Sequence, residues 1–199
     1  MRQGEDDIMN QIGFGLLWLG FIVTAFAADP PIPARNLVNW GTLDGVLQES
    51  GLPAGWSTYP AGFDRYDCFT VTAPVRQGTR CLRLSSQIPW ASVITGQHRV
   101  EQGTRQVGQA WVRLPAETTG EAVLRIDYLS DAGVTLGSSP VAVRRARDDS
   151  KEDWVLLKVE SRAEAFPQAT RFQLIAAVRG GGTVFWDDFE LYSTTDVGK

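Results

Sequence analysis

The sequence has few of the residues that build metal centres and nucleophilic sites. Its 199 residues include one His and two Cys, too few for a closed zinc site with four such ligands. His98 is that single His, and no Gly-x-Ser-x-Gly motif accompanies it, so Ser-His hydrolase chemistry has no support. No pair of carboxylates stands out as the acid and base that a glycosidase needs. We therefore expect a protein that is not an enzyme.

Positive charge is also scarce. The chain has 19 Lys and Arg against 23 Asp and Glu, a net charge of −4, and no basic stripe. Because affinity for nucleic acid comes mainly from Lys and Arg on phosphates, we expect no nucleic-acid partner. The apolar content of 43% is that of a globular protein, and the length suits one domain with a short extra segment.

The first 28 residues differ from the rest. From Ile8 to Ala28 there is no charged residue, and as a helix of about 31 Å this segment would cross a bilayer. Ala25-Phe26-Ala27 fits a signal-peptidase site, whereas the acidic start, residues 1–7, is unlike a signal peptide. A cleaved signal peptide and a retained membrane anchor both stay open for residues 1–28. Either one places the remainder outside the cytoplasm, in the periplasm or at the cell surface.

The rest of the chain shows strand periodicity and no convincing helical run. A Pro-rich linker is expected over 29–35, a domain over 36–192 and a C-terminal tail over 193–199. Gly- and Asp-containing turns separate one expected strand after Asn36 and nine others, at 66–72, 79–86, 91–100, 105–114, 121–130, 140–146, 153–160, 169–178 and 183–192. Short strands at this spacing predict an all-β fold, an antiparallel β-sandwich preceded by one N-terminal hydrophobic helix.

The two cysteines lie on consecutive predicted strands. If these strands form a hairpin with Thr70 opposite Thr79, Cys68 lies opposite Cys81, at a separation that suits a disulfide. Both sulfurs would then lie on the face away from the core. We expect a structural disulfide, which indicates an oxidising compartment.

Several motifs along the chain resemble those of one family. They are Asn36-Leu37-Val38-Asn39, Gly55-Trp56, Ala110-Trp111-Val112-Arg113, Asp131-Ala132-Gly133, Asp153-Trp154 and the run from Val184 to Leu191. In this order they resemble the galactose-binding-like jelly roll of the carbohydrate-binding modules appended to xylanases and glucanases, over about residues 36–192. The resemblance implies a non-catalytic module that binds glycan, often with a structural calcium. In members of the family, an acidic residue usually follows an aromatic one on the first strand. Residues 40–45 of this chain depart from that pattern.

Two predicted strands carry outward side chains suited to a sugar. These are Gln109, Trp111 and Arg113 on 105–114, and Arg125 and Asp127 on 121–130. If the strands pair with their apolar sides together, Trp111 faces Arg125, and an aromatic ring with polar neighbours can hold a sugar. The alternative is an ordinary cation–π contact between those two residues. Trp90 is expected at a junction of loop and strand, where it would border a cleft.

Adjacent carboxylates near the end of the last strand are candidate metal ligands. Asp187 is two residues from both Phe185 and Phe189, so its side chain should lie on the same, inward face of the strand. A carboxylate in that position needs a metal or a counter-charge. Calcium binds through six to eight oxygens, and Asp188 and Asp44 would contribute two of them. An arginine partner would satisfy Asp187 equally well, and both interpretations stay open.

Two functions therefore remain. The first is an extracytoplasmic, non-catalytic binding module that presents its aromatic and polar platform to glycan. The second is a membrane-anchored accessory or structural subunit of a membrane protein complex, whose β-sandwich contacts a protein partner. The acidic residues before the apolar segment 8–28 favour the second, and the family resemblance favours the first.

Overall fold

The computed structural model describes residues 35–39, 41–59, 66–145 and 153–195. The hydrophobic helix expected at residues 8–28 and most of the linker expected at 29–35 lie outside these described residues. Within them, no helix has the length and apolar character needed to cross a membrane.

The described chain forms strands and one short 3₁₀ helix, at Ala163–Ala165. The strands are β1 (Ser57–Tyr59), β2 (Tyr66–Val71), β3 (Cys81–Ser86), β4 (Trp90–Ile94), β5 (His98–Arg99), β6 (Thr104–Arg113), β7 (Glu121–Leu129), β8 (Thr135–Ser138), β9 (Ala142–Arg145), β10 (Val155–Arg162), β11 (Arg171–Arg179) and β12 (Gly182–Thr195). The expected strand over 91–100 is divided into β4 and β5. Strands β1 and β8 were not expected, and β12 extends into the segment predicted as a tail.

The strands make two antiparallel sheets. The seven-stranded sheet has the order β1-β4-β11-β7-β8, with β5 paired to β11 and β9 paired to β7. The five-stranded sheet has the order β10-β6-β12-β3-β2. This arrangement confirms the predicted all-β sandwich.

Alternation of apolar and polar residues explains how the two sheets pack. Strand β6 alternates buried and half-buried side chains along its whole length, as expected for a strand with one face on the core. The largest fully buried side chains come from both sheets and include Trp186, Tyr128, Phe172 and Phe189. Each such side chain stabilises the fold by roughly 1.5–3 kcal/mol through burial alone.

The segment after Asn36 lies along β12 without forming a strand. The Asn36 amide donates to the carbonyl of Phe189 at 3.0 Å, and its oxygen accepts from the Leu191 N–H at 3.0 Å. Gly41 lies so close to this strand that a Cβ there would be 2.0 Å from the Phe189 carbonyl oxygen. No strand forms at residues 36–38, where one was expected to begin. Two separate backbone hydrogen bonds, from the Leu37 N–H to the Leu191 carbonyl and from the Phe189 N–H to the Gly41 carbonyl, join this segment to β12 without a continuous ladder.

The predicted Cys68–Cys81 disulfide is also wrong in this structure, where both cysteines are free. Cys81 lies opposite Val71, and Cys68 lies opposite Leu84. The hairpin register is shifted by three residues from the expected one, and an odd shift moves the side chains of one strand, here β2, to the other face. Cys68 consequently packs against the core. Cys81 lies on the face away from the core, as expected, and its Sγ donates to the carbonyl of Pro74. The argument from a disulfide to an oxidising compartment loses its basis.

Candidate functional site

The outer face of the seven-stranded sheet carries a row of apolar and polar side chains. Arg125 on β7 lies opposite Ile175 on β11, which lies opposite Ile94 on β4. In the next row of the same face, Asp127 lies opposite Gln173. These five side chains belong to three adjacent strands, so the sheet itself fixes their relative positions.

Arg125 is held by a carboxylate and lies near an aromatic ring. Its Nε lies 2.8 Å from Oδ1 of Asp127, and its Nη2 donates to Oδ2 at 3.1 Å. Asp127 also accepts the Ser138 hydroxyl at 2.6 Å, and its side chain is almost completely buried. The Arg125 guanidinium carbon lies 5.0 Å from the centre of the Trp90 ring. One hydrogen bond and a close ion pair with the same carboxylate restrict where the guanidinium can lie.

A depression of about 340 Å³ adjoins this pair. We call it the Arg125 groove and define it by its lining residues Tyr59, Ser92, Ile94, Arg125, Asp127, Thr135, Gln173 and Ile175. Tyr59 is 59% exposed, so its ring is available to a ligand. The groove therefore combines an exposed aromatic, an apolar floor and polar groups at fixed positions.

The predicted pairing of the strands at 105–114 and 121–130 is wrong. Their counterparts β6 and β7 belong to different sheets, and Trp111 lies opposite Leu156 and Asp187 instead of Arg125. Alternation had correctly placed the apolar sides of both strands on the core. It could not determine whether the strands are neighbours in one sheet or face each other across the interior.

The predicted platform is consequently divided between the two outer faces. Arg125, Asp127 and Trp90 come together on the seven-stranded sheet, whereas Gln109, Trp111 and Arg113 lie on the five-stranded sheet. Sequence reasoning missed the groove residues Tyr59, Ile94, Gln173 and Ile175. Tyr59 lies on a strand of only three residues, too short for a detectable alternation.

Internal contacts engage two of the three platform residues on the five-stranded sheet, and the third borders a depression. The Arg76 guanidinium lies 3.8 Å above the Trp111 ring, and the Gln109 amide donates to Glu190. Arg113 borders another depression of about 340 Å³ that is also lined by Pro74 and Phe185. Trp111 would have to lose its contact with Arg76 before a sugar ring could stack on the same side of the indole.

The candidate metal ligand Asp187 accepts hydrogen bonds from the backbone. Its side chain is fully buried, and it accepts the N–H of Arg76 at 2.9 Å, of Gln77 at 3.4 Å and of Asp188 at 2.8 Å. Burial raises the pKa of Asp187 to about 6, although these N–H donors act in the opposite direction. Asp187 therefore anchors the loop between β2 and β3, which carries Arg76.

The other two candidate ligands have protein partners of their own. Asp188 forms an ion pair with Arg76, and Asp44 accepts the N–H and the hydroxyl of Thr79 at 2.8 and 2.7 Å. These hydrogen bonds from Thr79 lower the pKa of Asp44. Among the described residues, no three His, Cys, Asp or Glu side chains lie together as a metal-binding group. Because N–H groups and a guanidinium occupy these carboxylates, the trio does not fit calcium in this arrangement.

Comparisons with solved structures place this fold among known β-sandwiches. A xylan-binding module, CBM22-1 of Paenibacillus barcinonensis Xyn10C, has a TM-score of 0.55 and 12% identity, over 79% of this chain and 94% of that one. The C-terminal family 22 carbohydrate-binding module of Clostridium thermocellum Xyn10B has a TM-score of 0.55 and 12% identity, over 80% and 96%. Carbohydrate-binding modules thus share this fold, as the sequence motifs predicted.

Larger chains also contain a similar part. The enzymatically active domain of bacteriophage CBA120 tailspike protein 4 has a TM-score of 0.59 and 13% identity, and the match covers 80% of this chain but 21% of that one. For the arabinose-bound α-L-arabinofuranosidase MgGH51, the TM-score is 0.60, the identity 15% and the coverage 83% and 27%. This chain therefore spans about a fifth to a quarter of those proteins. No family model matches its sequence, and no curated protein does.

Proposed function

We propose that the chain is a non-catalytic module that binds glycan in the Arg125 groove. The observation that carries this proposal is that the exposed Tyr59 ring and the Arg125–Asp127 pair line the same depression. A sugar ring stacks its apolar face on an aromatic side chain and directs its hydroxyls toward fixed polar groups. The apolar side chains of Ile94 and Ile175 supply a floor between them.

The fold neighbours suggest which glycan to test first. Two of them, the modules of Xyn10C and Xyn10B, are named as xylan-binding and carbohydrate-binding, and this chain covers nearly all of their length. At 12% identity they support the fold, and the choice of xylan oligosaccharides as ligands is our inference. The groove volume of about 340 Å³ is at the small end of known ligand pockets, which suits a short stretch of one chain.

The groove does not contain the carboxylates of a glycosidase. Glycoside hydrolysis uses two carboxyl groups on either side of the bond that is cleaved. Among the described lining residues, Asp127 is the only carboxylate, and Arg125 and Ser138 occupy its oxygens. A carboxylate held in this way is suited to orient an arginine, which supports binding without catalysis.

Titration of the full chain with xylohexaose by isothermal calorimetry tests the proposal. We expect Tyr59→Ala to weaken binding about tenfold or more, because removal of an aromatic platform loses a stacking contact and its buried area. Tyr59→Phe should retain most of the affinity. Phe69→Ala is the matched control, since Phe69 is an aromatic residue that is 37% exposed on the other sheet.

Two results would contradict this assignment. One is an equal loss of affinity in Phe69→Ala and Tyr59→Ala, which would mean that the groove is not the site. The other is the absence of binding to xylan, glucan and galactan oligosaccharides alike, which would mean that the module does not recognise these glycans.

An extracytoplasmic location remains a prediction from the apolar segment 8–28, which lies outside the described residues. The alternative function, a subunit of a membrane protein complex, depends on the same segment. Among the described residues, no observation favours that alternative over the glycan-binding groove.

A further inference from the structure

A second cavity, of about 660 Å³, lies where β5 pairs with β11. Its polar lining residues include Gln97, His98, Arg99, Gln102, Asp131 and Arg171. None of the residues that line it also lines the Arg125 groove. It is therefore a separate candidate site, and the glycan proposal makes no use of it.

Two arginines face each other at this cavity. Arg99 and Arg171 are directly opposite in the pairing of β5 with β11, and like charges at such positions destabilise a sheet. Arg171 donates to the Gln97 amide oxygen at 3.2 Å and lies 3.4 Å from Asp131. Asp131 is 86% exposed, so solvent screens much of this ion pair.

Of the two arginines, Arg99 has fewer partners for its charge. It forms no ion pair or side-chain hydrogen bond with any residue that the structure describes. In a chain whose net charge is −4, two facing arginines and a single carboxylate, Asp131, among the described lining residues make a local excess of positive charge. An anion placed between Arg99 and Arg171 would remove their repulsion.

Neutral hydrogen-bonding groups surround the two arginines. Gln97 and Gln102 line the cavity, and each side-chain amide can both donate and accept. The two amides suit hydroxyls, which also donate and accept. His98 instead packs its ring against the buried Phe172, on the core side of β5.

Backbone hydrogen bonds hold the cavity wall. The Val100 N–H donates to the Thr170 carbonyl at 2.9 Å, and the Thr170 N–H donates to the Leu129 carbonyl at 2.9 Å. The loop that carries Val100 and the segment before β11 are thus joined to each other and to β7. A cavity fixed in this way loses little conformational entropy when a ligand binds.

We propose that this cavity binds a small hydroxylated carboxylate of the size of one sugar ring, such as a hexuronate. The planar guanidiniums of Arg99 and Arg171 would hold the carboxylate by paired hydrogen bonds. The amides of Gln97 and Gln102 would hold the hydroxyls. The volume lies within the range of small-molecule sites.

NMR titration of the full chain with D-glucuronate, D-glucose and acetate tests this proposal. We expect glucuronate to shift the backbone amide signals of residues 97–102 and 168–171. Glucose should leave them unchanged, and acetate should bind at least tenfold more weakly than glucuronate. Arg99→Gln should weaken glucuronate binding at least tenfold, because it removes a charge-assisted pair of hydrogen bonds. Arg83→Gln makes the same change on the other sheet and should leave the affinity unchanged.

Absence of the glucuronate shifts, or equal affinity in Arg99→Gln, would overturn the site. Equal affinities for acetate and glucuronate would overturn the assignment to a hydroxylated ligand. The Tyr59→Ala variant should keep the glucuronate response, so failure of the groove proposal and failure of this one give different results.

Discussion

The buried carboxylate of Asp187 should make folding stability depend on pH between 5 and 7. Burial raises the pKa of Asp187 from 3.8 to about 6 in the folded state. In the unfolded chain this carboxyl should titrate near its ordinary value. The folded protein then binds the proton more tightly, so this group adds stability at low pH, and the added stability is lost as pH rises through about 6.

The size of the effect follows from linkage. With these two pKa values, acidification from pH 7 to pH 5 should add about 1 kcal/mol to the free energy of unfolding. Burial lowers the pKa of His98, and this group acts in the opposite direction, because the unfolded chain binds its proton more tightly. Comparison with a variant that lacks only the Asp187 carboxylate removes the contribution of His98.

Urea unfolding of the wild type and of Asp187→Asn at pH 5, 6 and 7 measures this term. The difference in unfolding free energy between the two proteins should change by about 1 kcal/mol across the range, in favour of the wild type at pH 5. Asp44→Asn is the control, because hydrogen bonds from Thr79 lower the pKa of Asp44 and move its titration below this range. Its difference from the wild type should be constant.

If Asp187→Asn fails to fold, the pKa of Asp187 can be measured directly in the wild type. Carbon-detected NMR of the wild-type side-chain carboxyls should give a midpoint near pH 6 for Asp187. A midpoint at or below the ordinary value would refute the reasoning, because it would mean that the three backbone N–H donors outweigh burial. Parallel stability curves for the wild type and Asp187→Asn would refute it in the same way.

The remaining predictions concern the cysteines and calcium. Protein purified without reductant and then denatured should react with alkylating reagent at both of its two cysteines. The folded protein should react slowly, because burial raises the pKa of Cys68 and of Cys81 to about 12; resistance to alkylation after denaturation would indicate a disulfide. Calcium or EDTA should produce no measurable change in Tm, because N–H donors and Arg76 occupy the carboxylates of Asp187 and Asp188. A calcium-dependent rise of several degrees would show that these carboxylates exchange their protein partners for the ion.

The sequence predicted the buried faces of β6 and β7 correctly, although these two strands are not neighbours in one sheet. Asp187 was expected to point inward, but it lies opposite the outward Trp111, ahead of a register shift in β12. On β6, the expected inward positions of Ala110 and Val112 and the outward position of Trp111 agree with the structure. A side chain's face depends on the local alternation of two residues, which is visible in the chain. The neighbour of a strand depends on long-range topology, and the same alternation suits a partner beside it or a partner across the core.

The register of the hairpin that carries the cysteines could not be predicted from the sequence either. The expected pairing joined Thr70 to Thr79, whereas the structure joins Val71 to Cys81. The difference arises from the loop between them, where Asp187 accepts the backbone N–H groups of Arg76 and Gln77. A residue more than a hundred positions along the chain holds this loop, so no pattern within the hairpin could indicate the register.

The division of the platform has a consequence for how the molecule can bind. Residues that were expected on one surface lie on two opposite outer faces, and the face with Trp111 is covered by Arg76. Arg76 is held there by its ion pair with Asp188, and its backbone by Asp187. On the five-stranded sheet, Trp111 and Gln109 are thus engaged in internal contacts. The Arg125 groove instead leaves Tyr59 exposed, so the choice between the two faces depends on which aromatic side chain remains available to a ligand.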